Sequence, residues 1–151
     1  MTVRYLEDLS PGQIFNTGHK RVDKDEILAF ARQFDPQPFH TDEEAARSSP
    51  FQGLAASGWH TAAMTMRLML DGEFKPAGGI LGVGFDDLSW PRPVRPGDEL
   101  HAKSEVLEVR PSKSRPDRGT IKVRTTTFNQ NNEPVMIFTG NLLVPRRPMS
   151  T

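Results

Sequence analysis

The chain has no cysteine, which excludes disulfides, thiolate nucleophiles and cysteine-ligated metals together. It has no surplus of either charge: 19 Lys and Arg balance 19 Asp and Glu, for a formal net charge of zero. A nucleic-acid surface needs a clustered basic excess, so no nucleic-acid partner is expected. No apolar run is long enough to span a bilayer, and the opening residues Met1-Thr2-Val3-Arg4-Tyr5 carry no apolar signal region. A soluble cytoplasmic protein with no membrane partner is therefore the expectation. The sequence also lacks internal repeats and low-complexity tracts. What is present is 151 residues, 36% hydrophobic, which suits one domain spanning 1–151 with a modest core.

The most informative stretch runs from Phe34 to Gly58. It opens Phe34-Asp35-Pro36-Gln37-Pro38-Phe39-His40 and closes Gly53-Leu54-Ala55-Ala56-Ser57-Gly58. Proline fixes φ and drives the preceding residue out of the α region, so Asp35 and Gln37 are both expected to be extended. A stiff, non-helical loop carrying an acid and an imidazole suits proton transfer at one point. The helix that begins just downstream presents free backbone N–H groups to a developing anion. On the residues alone a second reading stands beside this one. Asp35 is a turn former ahead of proline, and His40 is a packed histidine between backbone groups.

Around this stretch the chain alternates element types. Residues 1–11 read as a lead-in, and Gln13–Val22 as a strand with Ile14, Phe15 and Val22 as its apolar members. Asp23 is placed to cap a helix, with Glu26 completing a capping box. Ile27, Phe30, Ala31 and Phe34 then fall on one face, and Pro36 ends the helix near Phe34. Thr41 or Asp42 caps a second short helix that runs to Arg47. Ser57–Asp71 is the strongest helix. Trp59, Ala62, Ala63, Met64, Met66, Leu68, Met69 and Leu70 make it apolar almost all round, the mark of a buried helix. Gly72 is placed to end it. Strands follow at 80–88, 100–106, 121–128 and 135–144, separated by turns at Pro96-Gly97, 111–119 and 129–134. The tail, 145–151, is expected to be irregular. The fold class is α+β, an antiparallel sheet wrapped around one long buried helix.

The segment Asp35-Pro36-Gln37-Pro38-Phe39-His40 resembles the Gly-Asp-x-Asn-Pro-x-His motif of the MaoC-like dehydratases, which include the (R)-specific enoyl-CoA hydratases of the hot-dog fold. Val94-Arg95-Pro96-Gly97-Asp98-Glu99-Leu100 and Phe128-Asn129-Gln130-Asn131-Asn132-Glu133-Pro134-Val135 resemble two further markers of that family. The resemblance covers nearly the whole chain. It implies addition or removal of water across the double bond of a trans-2-enoyl thioester of coenzyme A or acyl-carrier protein, with no cofactor and no metal. It implies catalytic roles for Asp35 and His40, an oxyanion amide at Gly58, and a homodimer. Ser57, Gln37, Phe39 and Met66 stand at the positions it implies for substrate contact. The chain departs from the pattern at Phe34 for glycine, Gln37 for asparagine, Ser57 for histidine and Met66 for serine.

The other candidates read as structural. His60 lies inside the helix, and His19 and His101 look like strand residues. Asp86-Asp87 is no metal pair, because adjacent strand residues point to opposite faces. Arg92, Arg95, Arg146 and Arg147 are all open to phosphate contact, or to plain solvation. Two other functions stay in view: a non-catalytic acyl-thioester binding protein and a hot-dog acyl-CoA thioesterase.

Overall fold

The structure, a computed structural model, describes residues 2–149. A 3-10 turn at Leu6–Asp8 is followed by strands β1 (Ile14–Asn16) and β2 (Lys20–Arg21) and helices α1 (Lys24–Phe34), α2 (Pro38–Thr41), α3 (Glu43–Arg47) and α4 (Gly58–Asp71). Four longer strands complete the chain: β3 (Leu81–Ser89), β4 (Glu99–Pro111), β5 (Arg118–Phe128) and β6 (Pro134–Pro145). The sheet order is β1-β4-β5-β6-β3, with β2 also on β4, and every strand pair is antiparallel. This is the expected α+β layout, an antiparallel sheet around the long helix α4.

Helices α1, α3 and α4 start where short polar side chains replace missing backbone acceptors. Asp23 accepts from the amide of Asp25, Asp42 from those of Glu44 and Ala45, and Ser57 from that of Trp59. Glu26 does not close a capping box as expected; its carboxylate pairs with Lys20 at 3.3 Å. Gly72 does end α4, but at φ −92°, so it is not there for a left-handed turn. A Cβ would come within 3.0 Å of the carbonyl oxygens of Asn16 and Leu68. Glycine lets the chain end of β1 pass close to the last turn of the helix.

Helix α4 joins two halves of the core. Met69 packs with Leu6, Leu9, Phe15, Phe74, Val106 and Ile121; Met64 and Leu68 pack with Val22, Ile27, Leu54, Leu100 and Val135. Its buried face also carries hydroxyls. Thr65 meets Thr127 of β5 at 2.7 Å, and Ser104 of β4 meets Thr125 of β5 at 2.8 Å. Paired hydroxyls avoid the cost of unmade bonds in the interior.

Three expectations change, while the irregular tail stays as expected. Residues 1–11 are more than a lead-in, since Leu6 and Leu9 are buried; Met1 lies outside the described residues. The single strand at 13–22 is two, broken at Thr17–His19, so His19 is not a strand residue. Phe15 takes the core side, and its neighbour Ile14 is left exposed, as strand alternation requires. Helix α4 is not buried all round: Trp59, Met66 and Leu70 are 59%, 42% and 43% exposed. The chain after Pro145 has no regular element through Met149, and residues 150–151 lie outside the described range. Among the described residues, no helix is long and apolar enough to cross a membrane.

Candidate active site

Helix α1 stops at Asp35, whose backbone (φ −151°, ψ 64°) has left the α region ahead of Pro36. Gln37 is extended (φ −101°, ψ 147°). Pro38 then occupies the first position of α2, where a missing N–H costs nothing. His40 therefore sits on a helical turn and not on the irregular loop expected. The turn aims its ring inward, where it is buried.

The opposite wall is segment 54–57, which leads into α4. The amide of Ala55 donates to Phe39 O (3.2 Å) and that of Ala56 to Val94 O (2.9 Å). Arg95 adds bonds from its guanidinium to the carbonyls of Leu54 and Phe51. This pinned segment presents two groups to the 35–40 turn. Ala55 O lies 2.6 Å from His40 Nδ1, and Ser57 Oγ donates to Asp35 Oδ2 at 2.7 Å.

A carbonyl only accepts, so His40 Nδ1 carries the proton of that bond. In the neutral ring Nε2 is then an acceptor. It faces Asp35 Oδ2 at 3.5 Å. Phe39 packs edge-on against the imidazole (centroids 4.6 Å) and Phe51 lies on another side at 5.9 Å, which fixes the ring plane. Gln37 reaches back and donates to Asp35 Oδ1. Burial pushes the Asp35 carboxyl upward, but the bonds from Gln37 and Ser57, together with the positive charge His40 carries when protonated, outweigh it. The net position is below the ordinary carboxylate value. Asp35 is thus held as the anion.

A cleft of about 330 Å³ opens over the pair, lined by Asp35, His40, Gly58, Trp59, Thr61, Trp90 and Arg92 among others. That is the size of a small-ligand site. Gly58 is the first residue of α4, so its amide has no intrahelical acceptor and lies at the positive end of the helix. The cleft therefore combines two bases with a backbone donor. This set can take a proton from one atom, return one to another, and hold negative charge between them.

Sequence-expected residues divide as follows. Asp35, His40 and Gly58 line one cleft, and Ser57 and Gln37 hold Asp35. Phe39 supports the imidazole from behind. Met66 lies elsewhere, two turns along α4, in a second, apolar cleft with Ala62, Phe85, Met136 and Phe138. Of the four arginines, Arg92 borders the first cleft, where it pairs with Glu133 at 3.3 Å. Arg95 is occupied with carbonyls, and Arg147 with Glu7 and Asp8. His60 is buried against the face of Phe30 (4.7 Å). Asp86 is taken by Lys122 (2.7 Å) and Asn141 (3.1 Å). Among the described residues, no group of three or more His, Asp or Glu is arranged to hold a metal.

Sequence reasoning missed Trp90, which donates from Nε1 to Gly58 O at 3.1 Å and meets Trp59 edge-to-face at 5.4 Å. The signal was there: a large aromatic in a proline-stiffened connection, Ser89-Trp90-Pro91-Arg92-Pro93, where binding residues concentrate.

Residues 8–129 match the family model of the MaoC like domain. A solved structure of a MaoC-like dehydratase from Rhodospirillum rubrum superposes with a TM-score of 0.94, at 54% identity, over 97% of this chain and 99% of that one. Uncharacterised protein YdeM of Bacillus subtilis (strain 168) is 37% identical over 139 residues, 92% of this chain and 96% of its own. A 3-hydroxybutyryl-CoA dehydratase of Methylorubrum extorquens is 30% identical over 116 residues, 76% of this chain and 71% of its own.

Proposed function

Because the chain belongs to the MaoC-like domain family, we propose that it is a hydratase and dehydratase of trans-2-enoyl thioesters, acting through Asp35 and His40. The observation that carries this is the 3.5 Å between His40 Nε2 and Asp35 Oδ2, with Nδ1 committed to Ala55 O. With the ring neutral, these two atoms are both acceptors and have no proton to share. A water satisfies both by donating one O–H to each, which leaves its lone pairs directed at a substrate.

In the hydration direction the water oxygen bonds to C3 of the enoyl group, and the π electrons move onto the thioester oxygen. One proton leaves the water for the pair. The resulting enolate oxygen is held by the Gly58 amide at the positive end of α4. The pair then returns one proton to C2. One water is consumed, and Asp35 and His40 end as they began. Dehydration is the same path reversed. A coenzyme A thioester is the favoured substrate, in keeping with the 3-hydroxybutyryl-CoA dehydratase among the relatives.

We also infer that the working unit is a homodimer. Strand β3 is a sheet edge nine residues long, with Leu81, Val83 and Phe85 exposed. Trp59, Met66 and Leu70 of α4 add further exposed apolar surface. An unprotected apolar edge is a template for pairing, and a second copy offers a matching one.

The test is incubation with crotonyl-CoA, following enoyl absorbance and free thiol separately. Loss of absorbance without thiol release is the expected result. Thiol release with the double bond intact means a thioesterase, and neither change, with binding retained, means an acyl-thioester binding protein.

A further inference from the structure

We propose that Trp90 is the positioning residue of the oxyanion donor: it holds Gly58 in place from outside the helix and roofs the cleft beside it. This rests on the hydratase reading above. Glycine is the loosest residue in the chain, and a first helical position has few intrahelical bonds to hold it. A transition-state donor must nevertheless be fixed before reaction. The peptide that carries the Gly58 N–H is held on its Ser57 side, where Ser57 O accepts from the Thr61 amide at 3.0 Å; on the Gly58 side the glycine has no side chain to anchor it.

Trp90 makes two contacts suited to that anchoring. Its Nε1–H donates to Gly58 O at 3.1 Å. Its ring lies flush on the glycine, so that a Cβ at Gly58 would come 2.6 Å from Cε2 and 2.9 Å from Cζ2. Glycine at 58 is thus demanded by the indole. Trp90 is supported in turn by the edge of Trp59 (5.4 Å) and by its seat between β3 and the proline-rich connection. Both tryptophans of the chain line this one cleft.

The two residues therefore act as a unit, and their variants will not combine additively. Trp90→Phe keeps a ring on Gly58 and deletes the N–H. It is expected to lower kcat on crotonyl-CoA about five- to tenfold, the size of one neutral hydrogen bond, with KM and melting temperature little changed. Trp90→Ala frees the amide and is expected to cost about a hundredfold in kcat, the scale of a misplaced catalytic group. Gly58→Ala alone drives its methyl into the indole and displaces it. Gly58→Ala in the Trp90→Ala background meets no indole, so the double variant is expected to be no slower than Trp90→Ala.

The experiment is the four-protein cycle with Trp90→Phe added, reading kcat, KM and thermal melts. A wild type that hydrates crotonyl-CoA while Trp90→Phe and Trp90→Ala keep its kcat overturns the inference and leaves the hydratase reading standing. So does a double variant showing the full product of the two single losses, because Gly58 then serves the substrate independently of Trp90. A wild type inactive on enoyl thioesters overturns both.

Discussion

Ser57 Oγ donates to Asp35 Oδ2 at 2.7 Å while it accepts the amide of Trp59 at 3.3 Å. One hydroxyl thus caps helix α4 and orients the acid of the site. The helix that carries the Gly58 amide and the loop that carries Asp35 are tied at a single buried atom.

Removing that hydroxyl separates the two roles. In Ser57→Ala, Asp35 keeps the Gln37 bond but loses one of the influences that hold its carboxyl low. Its pKa rises, and the acid limb of the kcat/KM profile moves to higher pH. The lost cap lowers stability by about 1 kcal/mol. A pH–rate profile alongside melts checks both; a cap-only role leaves the acid limb where it was.

Acid weakens the fold through a buried histidine. Burial pushes the His60 pKa below the ordinary imidazole value; Glu26 opposes this slightly and Lys20 adds to it. The unfolded chain therefore binds a proton more readily than the folded one. Stability is full above the ordinary imidazole value, falls as pH drops through it, and levels off below the depressed value. His101, lowered by burial and by His19 and Lys103, contributes with the same sign. His60→Phe, stacked on Phe30, is expected to flatten part of this decline in melting temperature. An unchanged decline assigns it to other groups.

The exposed edge and helix face predict the association state. Sedimentation at micromolar concentration is expected to give a dimer, and Phe85→Lys, which puts charge on the β3 edge, to weaken it. A wild type that sediments as a monomer contradicts the inference.

Much of this arrangement is readable from local sequence because its causes are local. Asp35 leaves the helix because Pro36 follows it, and Asp42 and Ser57 cap because short acceptors precede helical runs. The alternation at 100–106 and 121–128 marks two half-buried strands. The helical turn at His40 was equally local, since Pro38 suits a first helical position, but two prolines in three residues read as a loop. What sequence hides is contact across distance. Trp90 lies 32 positions from Gly58, and the pairing of β3 with β6 and the bond from the Ala56 amide to Val94 O bring the connection to the helix start. Met66 has the composition of a cleft residue, yet helical geometry turns it toward Phe85 and away from His40. The exposed face of α4 is as apolar as the buried one, so periodicity could not show which side faces the sheet.

The central claim is that Asp35 and His40 activate one water together. Groups that act as a unit are strongly non-additive, so removing either costs nearly as much as removing both. The direct measurement is a double-mutant cycle, Asp35→Asn with His40→Ala, on crotonyl-CoA hydration, with melts of all four proteins. Each single variant is expected to lose about two to four orders of magnitude in rate, the double variant little more, and each to melt as a folded protein. Mild, multiplicative losses of rate, accompanied by large drops in melting temperature, contradict the account and leave Asp35 and His40 as structural residues.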